Sequence, residues 1–414
     1  MGRLTRAEMR EFNRAKVLAA ARDEFTERGF RDAKIDGIAE RAGLTRGAVY
    51  SNFPGKRALY FAVLADLAER APEEPYPGHD LAGRAPGPPH GHDVAGRAPG
   101  PPHGHDVAGS TPEASDPGYG PGGRIPEASR AEGGRSAREA LGAFARVWVA
   151  RLPLATDEQN GPARLGMDLM PEVLADEQTR LPFAQLMKLD AILLGLALER
   201  LSPSGAPAAR RMHVAEAVLT TLHGASQMAA AAPGFIEPFN VVSVCEQLAG
   251  LEFDDVWAPP HLPWVPKARP VDEAWSPPQM MDAVSGEPAP LAADGVVAIL
   301  GLHRLEAAEE AVRAAPPGAE VTAVLVTGDP DEFAPLARLV IADLRTCLRA
   351  AFPPSAWPRL RVVYDESGEL AARAGVPAVS DGTEAAIRVE GSRVVARADG
   401  HGACHAAATA GRAK

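Results

Sequence analysis

Residues 72–134 hold 13 Pro and 14 Gly in 63 positions, with no hydrophobic periodicity among them. Such a stretch has too little apolar surface to offset the entropy of ordering it, so no packed core is expected there. A 13-residue unit, Gly78-His79-Asp80-Leu81-Ala82-Gly83-Arg84-Ala85-Pro86-Gly87-Pro88-Pro89-His90, returns from Gly91 to His103 with Val94 for Leu81, and a truncated copy starts at Gly104. The unit is too short and too polar to stack as a solenoid. The reading is a disordered Pro/Gly/His-rich repeat linker that obliges the 414-residue chain to build its folded parts on either side.

Those parts have ample material. Apolar residues make up 46% of the chain and charged residues 23%, a globular average. No run of about 18 uncharged apolar residues occurs, and MGRLTRAEMREFNRAK at the front has no apolar segment behind it. Neither a membrane span nor a secretory signal is expected, which points to the cytoplasm. Cys245, Cys347 and Cys404 are far apart and form no C-x-x-C pair, which argues against a disulfide framework, a zinc knuckle or a dithiol redox centre.

The net charge is −11, yet residues 1–70 carry 14 Lys and Arg against 10 Asp and Glu. A small basic head on an acidic body fits binding of DNA through the head, because phosphate neutralisation needs local cations. Phe12, Ala15, Val17, Leu18, Ala21 and Phe25 recur mostly at intervals of three and four, predicting a packing helix that Gly29 ends. A short helix over 35–42 should stop at Gly43, and Thr45 offers a hydroxyl to the free amides of a third helix beginning near Arg46. In such a helix-turn-helix unit the third helix can enter the major groove. Thr45, Arg46, Gly47, Ala48, Ser51 and Asn52 are short or polar there, while Leu44, Val49 and Phe53 are left for the core. Arg46 can donate two bonds to a guanine edge, and Tyr50 and Ser51 can reach phosphate oxygens. Lys56 adds a cation at the start of a fourth helix, and Arg3 and Arg6 suggest an arm ahead of the first.

Gly29-Phe30, Ile38-Ala39-Glu40-Arg41-Ala42-Gly43-Leu44-Thr45, the run Gly47-Ala48-Val49-Tyr50-Ser51-Asn52-Phe53-Pro54-Gly55-Lys56 and Leu59 resemble the N-terminal DNA-binding domain of TetR-family transcriptional regulators. The resemblance covers roughly residues 10–65. It implies a homodimer on a palindromic double-stranded operator, usually a repressor released by a small-molecule inducer. One departure is Lys34, where the family commonly has Ser or Thr capping the second helix.

The chain therefore divides, on this reading, into a helix-turn-helix domain (1–71), the linker (72–134), a helical block (135–254), a Pro/Trp-rich connector (255–290) and a small α/β domain (291–414). By the resemblance, the helical block is the ligand-binding and dimerisation domain, with helices near 140–151, 182–201, 208–232 and 241–251. Ala215, Val218, Leu219, Leu222, Ala225, Met228 and Ala229 form a broad apolar face that suits either a close contact across a two-fold axis or an ordinary core. Trp148, Met167, Met170, Phe183, Met187, His213 and His223 are either plain core or the lining of an apolar pocket with a few polar groups. The segment 156–177 can serve as its lid. With about 60 residues between the fourth helix and the block, coupling of ligand to DNA is expected to cross the packing of Tyr60, Phe61, Leu64 and Leu67, because a flexible coil transmits no torque.

The connector, with Trp257, Trp264 and Trp275 among prolines, reads as an extended strap whose aromatics dock on a neighbour. Beyond it, β-branched runs at 296–300, 321–326 and 360–364 alternate with helical stretches at 305–315 and 332–351, and a strand pair follows at 385–389 and 393–397. That order predicts a partly parallel sheet and is similar to the thioredoxin and peroxiredoxin fold. Its chemistry needs a low-pKa thiol at a helix start just after the first strand, where the chain has Leu302-His303-Arg304. The sum is a mainly α regulator with an accessory α/β domain, not an enzyme, with no cofactor or resident metal expected. Two alternatives stay open: a thioredoxin-like redox protein carrying a DNA-binding head, and a metal-responsive regulator using His79, His90, His92, His103 and His105 of the repeats.

Overall fold

The computed structural model of the chain describes residues 5–71, 135–152, 165–201, 209–259 and 265–410. They belong to one compact unit built from Met1–Tyr76 and Arg135–Lys414. The repeats and their five histidines lie outside the described residues, as do Arg3 and Trp264.

Four helices form the head: α1 (Arg6–Asp32), α2 (Ile35–Ala42), α3 (Arg46–Tyr50) and α4 (Lys56–Glu69). Thr5 caps α1 in a reciprocal arrangement: its hydroxyl accepts the Glu8 N–H at 3.2 Å and its own N–H donates to the Glu8 carboxylate at 2.7 Å. Arg6 is therefore the first helical residue and not part of an arm. The expected apolar stripe is only half right. Val17, Ala21 and Phe25 are buried, but Phe12 is 50% exposed and Ala15 also faces solvent. Gly29, at a φ of +73°, interrupts α1 in the left-handed region that favours glycine.

Helices α5 (Ala137–Val149), α6 (Leu169–Ala175), α7 (Glu177–Arg200), α8 (Met212–Ala231) and α9 (Pro238–Leu248) make the middle block. Helix α7 is long and apolar enough to cross a bilayer by composition, and its most apolar 18-residue window is 78% buried inside the chain. The apolar face of α8 proposed for a two-fold contact is instead core: Ala215, Val218, Leu219, Leu222, Ala225 and Ala229 are buried, and only Met228 reaches the surface. Helices α7, α9 and α5 pack on α8 and cover it. Large apolar side chains are left exposed one step further along, at Phe235, Phe239 and Val244.

Strands β1 (Arg269–Ala274), β2 (Gly295–Gly301), β3 (Glu320–Val326), β4 (Leu360–Tyr364), β5 (Glu384–Glu390) and β6 (Arg393–Asp399) form a single sheet in the order β1-β6-β5-β2-β3-β4. The pairs β2–β3 and β3–β4 are parallel; β5, β6 and β1 add antiparallel. Helices α10 (Ala307–Ala314), α11 (Pro330–Ala351), α12 (Glu369–Arg373) and α13 (Ala403–Thr409) complete it. The connector is more than a strap. It contains β1, and its buried Asp282 accepts the Val362 N–H of β4 at 2.9 Å. Trp275 does dock, donating its indole N–H to the Leu291 carbonyl at 2.8 Å.

Helix α11 belongs to the sheet by sequence but packs on α4, α5 and α7. Its buried residues, Ile341, Leu344 and Leu348 among them, belong to one core cluster that joins sheet residues such as Val296, Leu325 and Val362 to the helical block. Helix α4 is buried on every side from Ala58 to Ala65, between α1 and α11. Its main cover is α11 of the α/β region, and not the middle block that the sequence suggests.

Candidate nucleic-acid interface and ligand cavity

Gly43 sits at a φ of +64° and donates to the carbonyls of α2, turning the chain sharply before α3. The Thr45 hydroxyl accepts the Ala48 N–H at 3.2 Å and so fixes the start of α3. Val49 and Phe53 anchor the helix in the core. Thr45, Arg46, Gly47, Tyr50 and Ser51 are left on one exposed face, with Ala48 and Asn52 half-buried beside them. Lys34 precedes α2 without a side-chain cap.

A buried carboxylate locks this unit onto α1. Glu24, 1% exposed, pairs with Arg41 of α2 at 2.8 Å and with Arg28 at 3.2 Å. Arg46 lies 3.5 Å from Asp36 with both groups solvated, a pairing that phosphates or base edges can displace, and its guanidinium stands over the Tyr50 ring at 5.6 Å. Ser51 Oγ and the Asn52 amide both donate to the Ala48 carbonyl, at 2.9 and 2.8 Å. They cap the end of α3 in this state. Lys56 donates to the Arg31 carbonyl at 3.0 Å and stands 4.5 Å from the Phe30 ring centroid; partial burial pulls its pKa down.

A second feature lies behind α4. A cavity of about 320 Å³ is lined by Leu64 and Leu67 of α4, Trp148 and Arg151 at the end of α5, Met167, Met170 and their neighbours Leu165, Gly166 and Leu169, the α8 residues His223, Ser226, Gln227 and Ala230, and Leu339 and Asp343 of α11. The structure brings Trp148, Met167, Met170 and His223 together there. Phe183 stands behind, edge-on to His223 at 6.4 Å, and Met187 packs on the core away from the lining. His213 is elsewhere, half-exposed at the start of α8 beside Asp255 and Phe253. Of the proposed lid over 156–177, residues 156–164 lie outside the described residues, and Leu165, Gly166, Met167, Leu169 and Met170 line the cavity.

Burial lowers the His223 pKa to about 4, so its ring is neutral near pH 7, and Nε2 finds no hydrogen-bond partner. Trp148 Nε1 donates to Ser226 Oγ at 2.9 Å. Arg151 Nη1 donates to Asp343 at 2.8 Å, while Nη2 is buried without a partner. Sequence reasoning missed Arg151, Gln227, Leu339 and Asp343. The signal for Asp343 was present: it falls on the apolar face marked by Leu336, Leu339, Val340 and Cys347.

Tight joints connect head and cavity. The Tyr60 hydroxyl donates to the Leu165 carbonyl, and Asp168 accepts the Phe30 N–H. Arg57 of α4 bridges Asp176, which caps α7, and Glu332 of α11, at 2.7 and 2.5 Å. The rings of Phe25, Phe30, Tyr60 and Phe61 pack beneath, with neighbouring centroids 4.9–6.2 Å apart.

A four-helix head whose capped third helix presents a solvated polar face defines a helix-turn-helix protein. Residues 17–63 match the family model described as bacterial regulatory proteins, tetR family. The front of the chain is a TetR-family domain. It is similar to an uncharacterized HTH-type transcriptional regulator, TtgW, of Pseudomonas putida, 48% identical over 65 residues, 16% of this chain and 48% of that protein. The HTH-type transcriptional regulator SrpR of Pseudomonas putida matches with 48% identity over 16% of this chain and 30% of its own length. The HTH-type transcriptional activator FasR of Mycolicibacterium smegmatis is 42% identical over 13% of this chain and 25% of its own. The chain thus spans about half or less of the length of these relatives. A crystal structure of a transcriptional regulator from Rhodococcus sp. Rha1 aligns over 57% of this chain and 94% of its own at 20% identity and a TM-score of 0.29, too low to carry an argument.

The three thiols are all fully buried. Burial pushes Cys245 and Cys347 up to about 12 and Cys404 well above the usual range, the opposite of what a nucleophilic thiolate needs. Among the described residues no cluster of three or more His, Cys, Asp or Glu could hold a metal.

Proposed function

We propose that the protein is a DNA-binding transcriptional regulator, a homodimeric repressor of a palindromic double-stranded operator, acting in the cytoplasm and released by a small-molecule inducer. The observation that carries this reading is the exposed face of α3, held in place by Thr45 and Val49, within a segment that matches a family of bacterial regulatory proteins. Thr45, Arg46, Gly47, Ala48 and Tyr50 face the groove; Ser51, Asn52 and Lys56 border the backbone and must first leave their Ala48 and Arg31 carbonyls. The inducer occupies the cavity between α4, α5, α8 and α11. Dimerisation uses the exposed apolar side chains around α9, Phe235, Phe239 and Val244, continuing from Met228. The α/β region has a thioredoxin-like order, a parallel β2–α10–β3 unit beside antiparallel β5 and β6, and serves as structure without thiol catalysis.

Footprinting the purified full-length chain on its own upstream DNA at two salt concentrations tests the proposal. A symmetric protected site whose affinity falls steeply with salt is expected. No protection in dilute buffer would sink it.

A further inference from the structure

The polar end of the cavity is asymmetric. Arg151 gives one terminal nitrogen to Asp343 and keeps the other buried without an acceptor. The rest of the lining is mostly Leu, Met, Ala and Trp, with His223, Ser226 and Gln227 as the other polar groups. Behind Asp343, Asp190 is 3% exposed and one of its carboxyl oxygens has no partner. Burial and the nearby Asp343 raise its pKa well above the ordinary carboxyl value. The open demand among these groups is for an acceptor at Arg151 Nη2. A buried donor left unpaired is unfavourable, the more so on a charged group, and a ligand supplying the acceptor relieves it.

We propose that the cavity takes an apolar monocarboxylate, with the carboxylate on Arg151 and the hydrocarbon body among Leu64, Leu67, Trp148 and Leu339. This rests on the cavity being the inducer site and names the class of inducer. It has a mechanical corollary. The acid takes Nη2 while Asp343 holds Nη1, so two like charges share one guanidinium, and Asp343 belongs to α11, the principal cover of α4. Binding therefore loosens the tie between α5 and α11 and alters the support of the head from its α/β side. An amine cannot do this, because it would sit beside Arg151 and leave Nη2 unpaired.

The test uses the full chain and three probes of one length, decanoate, decanol and decylamine, titrated by tryptophan fluorescence, with Trp148→Phe identifying the cavity signal. Decanoate is expected to bind at least ten-fold more tightly than the other two. Arg151→Met should abolish that preference while leaving decanol unchanged, and Asp343→Asn should tighten decanoate by removing the like charge. Equal binding of the three, preference for the amine, or a preference that survives Arg151→Met overturns the proposal. If Arg151→Met does not fold, Asp343→Asn decides: tighter decanoate supports the shared guanidinium, unchanged or weaker binding refutes it. Decanol binding that Trp148→Phe silences, without any preference for the acid, leaves the cavity reading standing and removes this one. Binding of none removes both.

Discussion

The Asp168 carboxylate accepts the backbone N–H of Phe30 at 2.9 Å, joining residues 138 positions apart. Phe30 follows the turn that Gly29 makes in α1, and Asp168 lies in the chain between Met167 and Leu169, which line the cavity. A movement of residues 165–170 around a bound molecule is thus felt directly at the base of the head. Asp168→Ala leaves the Phe30 amide without its acceptor. It should lower stability by about 1–3 kcal/mol, read as a shift of the urea midpoint at unchanged slope.

On the exposed face of α3, Arg46→Ala is expected to relax preference at one base pair and weaken the best operator by about 1–3 kcal/mol, with little change on unrelated duplexes. Tyr50→Ala should weaken all sequences alike. Gel-shift titrations on an operator and its single-base variants separate the two patterns. A uniform loss from Arg46→Ala would remove the base-reading role.

His223 gives the fold a pH signature. Its pKa in the folded chain, about 4, lies below the ordinary histidine value of 6.5, so folding favours the neutral ring. That contribution is complete above about 6.5 and is lost as pH falls towards 4, where the unfolded chain takes up a proton the folded one refuses. The full span amounts to about 3 kcal/mol. His223→Leu should flatten the fall of stability between pH 6.5 and 4, measured by chemical denaturation. An unchanged slope would mean the ring is not held neutral.

The described parts of Met1–Tyr76 and Arg135–Lys414 pack as one unit through Arg57, Tyr60 and Asp168. Deleting residues 78–109 should therefore leave operator affinity and its response to inducer unchanged within about two-fold. Loss of induction in the deletion would show that the signal runs along the chain and not across the packing.

The head was legible because its signals are local. Gly43 must be left-handed, Thr45 must cap, and the spacing of Val49 and Phe53 leaves one face free, so α2 and α3 fall where the sequence puts them. Strand β1 was not, since Arg-Pro-Val-Asp-Glu-Ala has no alternation and faces solvent along nearly its whole length; its pairing with β6 is what makes it a strand. The face of α8 shows another limit. Periodicity identifies an apolar side but not whose atoms cover it, and here the cover is the chain's own α7, α9 and α5. Cavity residues divided the same way: Trp148 and His223 stood out by type, whereas Arg151 and Asp343 gained meaning only when α5 met α11.

That α11 serves the sheet and α4 together has an outcome for how such a gene can change. Ending the reading frame after residue 254 would not free a smaller working molecule; it would strip the cover from a helix buried on all sides and expose Phe61 and its neighbours to water. Alleles altered far downstream, in the α/β region, should then first be noticed as faults in the folding of the head.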